Sequence, residues 1–528
     1  MTPSRTDAIR RKLADIAPIL AIALAFAFTL FWKAGSITPS FDEMIDSVIA
    51  GCHQRHANPY YCNADITQGR LPYIVHASIR SLFPMVPPRT VDLAISGIAA
   101  VALLLVLSLF VRREFGRRAA VITALLIASS APMLAAGRMT MTHSNVLFAL
   151  LTALSFVAFV RFLRSRDPAD LFWAAAAFGA SVAANLLGVA TAALFLFLFA
   201  MPSPDRRKDK DMASFLIVAI AAFFILSPAH LAPENVARVL AGIKGIRGVS
   251  TNHDYFGTGM SVAPRWYPFL LYAVKLSPWW APWMAISWFF IGREKDRVRQ
   301  LALAAIAAFI VLSLALKASL RYDAPHHHVH LIALGCVLVA YAADRAIETA
   351  RKPLARAAVL AALAASFVLQ IVAVAQVFPN MLFYGAQFGP RFIGEFYGPA
   401  VIQCQDQGKV RAELRRLIDE GKDVRTMATV CWGAPDDGDL VSTWWEAKPH
   451  APGEGDEIYV FGEWVLFSHF HLTADQAAMR ERILAECARH TSSDFPFLKD
   501  VYVIYRCPAD PALESLTRLA PLDRVTPP

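Results

Sequence analysis

The segment IAPILAIALAFAFTLF at residues 16–31 decides the fold, because it contains no charged residue over the length of a membrane helix. Similar apolar runs recur along the chain, and a run of about 20 residues crosses a hydrocarbon core of roughly 30 Å as an α-helix. The composition agrees, since 56% of the 528 residues are hydrophobic and only 18% are charged. The sequence therefore predicts a polytopic α-helical membrane protein.

The first apolar run follows a basic stretch that contains Arg5, Arg10, Arg11 and Lys12, an order that resembles a secretory signal peptide. No small-residue cleavage site follows the run. The segment is therefore predicted to be a retained first transmembrane helix.

Basic residues cluster in alternate loops, and this distribution explains the formal net charge of +9 better than a nucleic-acid partner does. By the positive-inside rule, the N-terminus and these loops are expected on the cytoplasmic side of a bacterial inner membrane. The clusters are Arg112, Arg113, Arg117 and Arg118; Arg161, Arg164 and Arg166; Arg206, Arg207, Lys208 and Lys210; Arg293, Lys295, Arg297 and Arg299; and Arg345, Arg351, Lys352 and Arg356.

This orientation fixes the number of crossings. The apolar segment 171–201 must begin and end on the cytoplasmic side, so it is predicted to form two short helices that bend near Asn185 and Gly188. With these two, about eleven crossings are expected. The other predicted helices lie near residues 16–33, 90–111, 117–134, 143–163, 212–232, 267–291, 299–317, 327–344 and 354–378.

Two segments fall on the predicted outer side and are too long to be connectors. The first outer loop, 34–88, is expected to carry amphipathic interfacial helices. The tail, 380–528, alternates helical stretches (GKVRAELRRLIDEG and ADQAAMRERILAECARH) with strand-like runs (VRTMATVC, EIYVFGEWVLF and DVYVIYRC). A transmembrane core of residues 1–379 and a small periplasmic α/β domain are therefore predicted.

Six of the seven cysteines also fall on the predicted outer side, and only Cys336 lies in a predicted helix. Cys52 and Cys62 could close the first outer loop, whereas the four tail cysteines allow three pairings or could stay reduced. The tail cysteines are Cys404, Cys431, Cys487 and Cys507.

The acidic pair Asp42 and Glu43 begins the predicted outer loop, about nine residues past the first apolar span. A carboxylate at the mouth of a membrane cleft can deprotonate an acceptor hydroxyl or amine as that group attacks a lipid-linked donor. Asp46 lies one helical turn beyond Asp42, so the two could bind an acceptor or a divalent ion together. The alternative is that the acids only cap the start of a helix.

Several basic and aromatic side chains at the outer helix ends are candidates for binding a phosphate or an acceptor. Arg70 can form bidentate phosphate contacts and Tyr73 follows it, while Arg138 and His143 border the second outer loop. Lys275 falls inside the predicted bilayer, where burying a cation without an anionic partner costs free energy. A lipid phosphate would serve as that partner. The alternatives are snorkelling cations, an aromatic belt and helix caps. Arg265 and Tyr267 precede Lys275 in sequence.

The stretch RYDAPHHHVH brings Arg321 and four histidines to the outer end of a late helix. Adjacent side chains on a helix point apart, so at most His326 and His330, or His327 and His330, share a face. His326 is therefore assigned, with Tyr73 and Tyr267, to the predicted pocket at the outer helix ends, and no metal site is predicted there.

In order along the chain stand FDE (41–43), QGRLPY (68–73), GRMTMTHSN (137–145), RWYPFLLYAVKLSP (265–278), RYDAPHHHVHLIALG (321–335) and LFYGAQFGPRFIGEFYGPA (382–400). This ordered set resembles the GT-C glycosyltransferases of the protein O-mannosyltransferase and lipid A aminoarabinose transferase branch. The resemblance spans about residues 1–400. It departs from the family pattern at His143, where the family has an Asp, and at Arg70-Leu71-Pro72, where the family often has His-Pro-Pro.

The resemblance implies a polyprenyl-phosphate sugar donor and an inverting transfer to a lipid, glycan or protein acceptor on the periplasmic face. Asp42 would be the general base and Glu43 would orient it or the acceptor. Arg265, Lys275 and Arg321 would hold the lipid phosphate as the leaving group develops charge. Arg70 joins this set because its guanidinium suits bidentate phosphate contact. No cofactor is assigned, and a divalent cation stays an option.

Two other classes of function compete with a transferase. In a transporter or flippase for an anionic lipid or solute, the same ionisable groups would line a path; they concentrate at outer helix ends, however, and no repeated pair of broken segments indicates inverted halves. An envelope assembly scaffold would use the outer domain to bind a partner. A nucleotide-sugar donor is disfavoured because no Gly-rich phosphate loop occurs between a strand and a helix.

Overall fold

The computed structural model of the chain forms two compact units, a helical unit and a second one that contains the C-terminal α/β elements. Apart from isolated positions, the structure describes residues 5–32, 71–138, 146–200, 208–231, 264–320, 328–378, 408–426, 457–463, 474–495, 498–510 and 516–518.

Fourteen α-helices make up the described part of the helical unit, and two 3₁₀ turns, Leu186–Thr191 and Pro228–Leu231, interrupt them. The helices are α1 (Arg5–Phe31), α2 (Leu71–Leu82), α3 (Pro88–Phe115), α4 (Arg117–Ala128), α5 (Ala131–Arg138), α6 (Val146–Ser165), α7 (Pro168–Ala184), α8 (Ala192–Ala200), α9 (Lys208–Leu226), α10 (Tyr267–Leu276), α11 (Ala281–Ile291), α12 (Arg297–Leu320), α13 (Val329–Thr349) and α14 (Pro353–Val377).

Among the described residues, six helices are long and apolar enough to cross a membrane, and a seventh crossing arises if α4 and α5 count as one span. The six are α1, α3, α6, α12, α13 and α14. Large apolar side chains are exposed along α1, such as Leu24 and Phe28, and along α14, such as Val368 and Ile371. Such faces are stable in contact with lipid. The chain is a multi-pass membrane protein, as predicted.

Two predicted single helices are broken, which corrects the sequence-based boundaries. The predicted helix 117–134 consists of α4 and α5, whose axes differ by 60°. The predicted helix 267–291 consists of α10 and α11, separated at Ser277, whose φ is +104°. Proline explains the second break, because Pro278 disfavours the helical conformation of the residue before it and lacks a backbone N–H. Pro132 similarly stands in the first turn of α5.

The predicted division of segment 171–201 into two short helices is confirmed. Helix α7 ends at Ala184, a 3₁₀ turn spans Leu186–Thr191, and α8 begins at Ala192. The start of α7 is capped by Asp167, whose carboxylate accepts a hydrogen bond of 2.9 Å from the backbone N–H of Ala169.

Ion pairs join the predicted cytoplasmic loops at one end of the helical unit. Arg112 bonds Asp15, Arg118 bonds Asp344, Arg164 bonds both Glu114 and Asp296, and Arg345 bonds Glu294. These pairs show that four of the five basic clusters lie at the same end, while the position of the cluster 206–210 and the side of the membrane on which this end lies stay predictions.

Glu294, at the end where these ion pairs lie, is a carboxylate whose pKa is set by burial and by its hydrogen bonds. Burial raises the pKa of its carboxyl, but hydrogen bonds from the Asp296 backbone N–H, Arg345 and the Tyr341 hydroxyl outweigh burial and leave the pKa below its ordinary value. The carboxylate is therefore ionised near neutral pH, and it pairs with the basic loop as a fixed charge.

In the part that the structure describes, the C-terminal unit contains helices α15 (Gly408–Asp419) and α16 (Ala474–Glu486) with five strands in one sheet of order β3-β4-β2-β1-β5. Strands β1 and β2 are parallel, and the other pairs are antiparallel. The predicted α/β domain is thus observed, with one correction: the predicted helix 474–490 ends at Glu486 and its last residues enter β3. The strands are β1 (Asp423–Thr426), β2 (Glu457–Glu463), β3 (Ala488–Phe495), β4 (Leu498–Pro508) and β5 (Thr517–Arg518).

A disulfide joins Cys487, directly before β3, to Cys507 in β4. This is one of the pairings that the sequence left open. Cys507 is buried in the core of the sheet unit together with Ile458, Val460 and Ile483. The bridge therefore ties the end of α16 to the central strands. Cys336 is a free, buried cysteine on α13, and Cys52, Cys62, Cys404 and Cys431 lie outside the described residues.

Candidate functional site

Arg138 ends the short helix α5, at the point where the sequence predicted an acceptor contact. Its Nη1 donates hydrogen bonds to the carbonyl oxygens of Thr29 (2.6 Å), Leu30 (3.2 Å) and Trp32 (2.8 Å) at the end of α1. A helix leaves its last carbonyls without partners inside the helix, and a cation there also complements the helix dipole. Arg138 thus fixes the end of α1, from which the segment with the acidic pair follows in sequence.

Lys275 occupies the last turn of α10 and is only 3% exposed. Its position two residues before Ser277 places it at the break between α10 and α11. Removing an ammonium group from water is costly, and an anion close to such a group interacts with it far more strongly than in water. Lys275 is therefore a cation that is held almost wholly away from water at this break.

A buried cluster that the sequence did not reveal joins α2 to the start of α3. Asp92 is 1% exposed, and its carboxylate accepts hydrogen bonds from His76 Nδ1 (2.8 Å) and Arg80 Nε (2.9 Å), with a second bond from Arg80. His76 and Arg80 lie one turn apart on the buried face of α2. The cluster anchors the predicted interfacial helix through paired charges.

The other described candidates occupy two environments. Tyr73 and Tyr267 are each 2% exposed, on the buried faces of α2 and α10 respectively. Arg265 is exposed in the turn before α10, where it is accessible to a phosphate or to lipid headgroups. Helix α10 packs against α5, α12 and α13, so the structure brings the helices of Lys275 and Arg138 together. The helix of Tyr73 has different neighbours, because α2 packs against α3 and α7.

Seven candidates from the sequence lie outside the residues that the structure describes. Their assignments stay predictions: Asp42, Glu43, Asp46, Arg70, His143, Arg321 and His326. Within the described ranges, no group of three or more His, Cys, Asp or Glu side chains could hold a metal ion. His330, a partner in the metal hypothesis, instead packs between the rings of Phe148 and Phe309, at centroid distances of 4.7 and 5.9 Å.

The fold and these buried cations define a multi-pass membrane protein with charged groups held inside its helical unit. Residues 88–231 match the family model described as dolichyl-phosphate-mannose-protein mannosyltransferase. The predicted resemblance is confirmed, and the chain is similar to the GT-C membrane glycosyltransferases. The match covers α3 to α9 and includes both Asp92 and Arg138. No curated protein matches the chain.

Among solved structures, the crystal structure of ArnT from Cupriavidus metallidurans is similar in both its apo state and its complex with undecaprenyl phosphate. Each is 13% identical, with 94% of this chain and 98% of that chain covered and a TM-score of 0.49. The oligosaccharyltransferase of Archaeoglobus fulgidus, in complex with Zn and sulfate, is 16% identical over 67% of this chain and 52% of that chain, with a TM-score of 0.45.

Proposed function

We propose that this protein is an inverting glycosyltransferase that moves a sugar from a polyprenyl-phosphate donor to a lipid, glycan or protein acceptor. The observation that carries the proposal is the match of residues 88–231 to the mannosyltransferase family. The reaction takes place on the periplasmic face of a bacterial inner membrane, in line with the charge distribution of the loops.

In this reaction an acceptor oxygen or nitrogen attacks the anomeric carbon of the donor sugar. The new bond forms as the bond from that carbon to the phosphate oxygen breaks, and the polyprenyl phosphate leaves with the bonding electrons. Asp42 takes the proton from the acceptor, and Glu43 orients Asp42 or the acceptor. A single displacement of this kind inverts the anomeric configuration and needs one base and no covalent nucleophile.

The leaving phosphate gains charge in the transition state, so cations that are already in place stabilise it. Lys275 supports this role because its ammonium group is held in a nearly dry environment. Arg265 is the accessible partner at the start of the same helix, and Arg70 and Arg321 complete the proposed set. Arg138 fixes the end of α1 and so supports the segment that carries Asp42.

The test of the base is a comparison of wild-type protein with Asp42→Asn in lipid nanodiscs, supplied with extracted polyprenyl-phosphate sugars and envelope fractions. Loss of a general base lowers turnover by about 100-fold or more. Asp167→Asn is the matched control, because Asn also caps a helix and Asp167 lies at the basic end of the helical unit, three residues after Arg164. Equal sugar transfer by Asp42→Asn and wild type would exclude Asp42 as the base.

The same preparation tests the phosphate contact. We expect Lys275→Ala to weaken binding of polyprenyl phosphate, Lys275→Arg to restore it in part, and Lys352→Ala, which removes an exposed lysine just before α14, to change nothing. If wild-type protein transfers no sugar with any donor yet moves an anionic lipid across vesicles, the transporter hypothesis replaces the transferase.

A further inference from the structure

A single buried side chain, Gln370 on α14, contacts two helix breaks, the one between α4 and α5 and the one between α10 and α11. Gln370 is 1% exposed. Its Oε1 accepts hydrogen bonds from the Ser277 hydroxyl and from Trp279 Nε1 (2.9 Å), both in the break between α10 and α11. Its Nε2 donates to the carbonyl oxygen of Ser129 (2.8 Å), in the bend between α4 and α5.

Gln370 binds a backbone carbonyl at one break and two side-chain groups at the other. Backbone groups at a break lose their regular helical partners, and buried polar groups must be satisfied elsewhere. Ser277 also has a φ of +104°, which is unfavourable for a residue with a Cβ and persists only where the surroundings hold it. The hydrogen bond from its hydroxyl to Gln370 is one interaction that holds it, and the ring of Trp280 adds a contact with Phe367 on α14 at 4.8 Å.

The two breaks adjoin the segments that carry Lys275 and Arg138, two of the buried cations of the described residues. Lys275 lies two residues before Ser277, and Arg138 ends the short helix that begins at the bend after Ser129. A shift of either break would move its cation, and a displacement of about 1 Å can cost 100-fold in rate when a group must meet reacting atoms. An amide is suited to this position because it accepts on one side and donates on the other.

We propose that Gln370 is a positioning residue, which clamps these two helix breaks and so holds Lys275 in place for the donor phosphate and Arg138 in place at the end of α1. This inference rests on the proposed function, because the phosphate contact of Lys275 gives the clamp its purpose. It adds a residue of α14, which lies outside every sequence motif quoted above and outside the stretch matched by the family model.

The experiment compares Gln370→Met, which removes both hydrogen-bonding groups at similar volume, with Ser366→Ala. Ser366 is the matched control because it is also buried, lies one turn earlier on α14 and contacts Trp283 Nε1 at 3.4 Å, beyond the breaks. Ser277→Ala removes one of the two bonds on the Lys275 side, leaves the bond from Trp279 in place, and serves if Gln370→Met does not fold.

Two measurements are made on each variant. The first is the rate at which Lys275 is acetylated by acetic anhydride, followed by mass spectrometry with exposed Lys352 as the internal reference. The second is the dissociation constant for undecaprenyl phosphate in nanodiscs. We expect Gln370→Met to raise the acetylation rate of Lys275 and the dissociation constant at least tenfold each, whereas Ser366→Ala leaves both within twofold of wild type.

Equal acetylation of Lys275 in the Gln370→Met and Ser366→Ala variants would overturn the clamp, whatever reaction the protein catalyses. Unchanged donor affinity in Gln370→Met, alongside reduced affinity in Lys275→Ala, would overturn the inference and leave the proposed function standing. Absence of both sugar transfer and lipid binding in wild-type protein would refute the proposed function itself.

Discussion

Replacing Asp92 with alanine is expected to release α2 from the helical unit. The carboxylate of Asp92 accepts two bonds from Arg80 and one from His76, and the three side chains are 1 to 4% exposed. Removing one partner of a buried ion pair costs about 3 to 5 kcal/mol, because the remaining charge stays away from water. A loss of about 3 kcal/mol from the opening free energy of α2 corresponds to roughly 100-fold faster amide exchange.

The assay is hydrogen exchange with mass spectrometry on the full chain in nanodiscs, read on peptides that cover residues 71–82. Asp15→Ala is the control, because Asp15 also pairs with an arginine but is 38% exposed in its side chain, and exposed pairs contribute at most about 1 kcal/mol. The variant Arg80→Met/Asp92→Leu removes the pair together and should exchange more slowly than Asp92→Ala. Exchange of α2 within threefold of wild type in Asp92→Ala would refute this reasoning.

Three further predictions concern packing, pH and the disulfide. Gly179→Ala should destabilise the fold by about 1 to 3 kcal/mol in thermal unfolding, because the new Cβ would overlap the Ala219 carbonyl oxygen, whereas the control Gly292→Ala meets nothing closer than 3.8 Å. Hydrogen bonds from Arg416 and His490 lower the pKa of Glu413 from 4.5 to about 2. The Glu413 carboxylate therefore stabilises the folded state by about 1 kcal/mol, an effect that is complete above pH 4.5 and disappears as pH falls towards 2. Glu413→Gln should flatten this part of the profile of melting temperature against pH. Cys487→Ser should lower the unfolding free energy of the C-terminal unit, measured in urea, by about 3 kcal/mol, because the bridge joins residues that are 20 apart in sequence and so constrains the unfolded chain. An unchanged unfolding free energy would show that the bridge does not constrain the unfolded chain.

The sequence predicted long features well, because they depend on composition over many residues. The length of the apolar runs predicted the long membrane helices, and Asn185 and Gly188 correctly located the division of segment 171–201. The break at Ser129 was missed because the apolar run continues across it, and the break at Ser277 was missed because apolar segments flank it on both sides, although Pro132 and Pro278 are local signals that could have found them.

Contacts between elements were harder to predict. The pairing of His76 and Arg80 with Asp92 depends on how α2 folds back on α3, and no local pattern specifies such a contact. Strand β3 was missed because ARHTSSDF is polar and short of β-branched apolar residues, so its strand state comes from pairing with β4. The role of Gln370 could not be predicted from the sequence. A single amide in an apolar helix indicates that it has a polar partner, but the sequence does not show which residue that partner is.

The ion pairs at the basic end have a consequence for biosynthesis. Arg118 and Asp344 are 226 residues apart in the chain, so the arginine is made long before its partner. At about 5 to 20 residues per second, the ribosome needs roughly 10 to 45 s to reach the partner. Until then α4 must rely on its neighbours α1 and α3. The last helices to be inserted therefore complete the charge pairing of the first ones, and a chain truncated before α13 would present an unmatched basic surface to the quality-control machinery of the membrane.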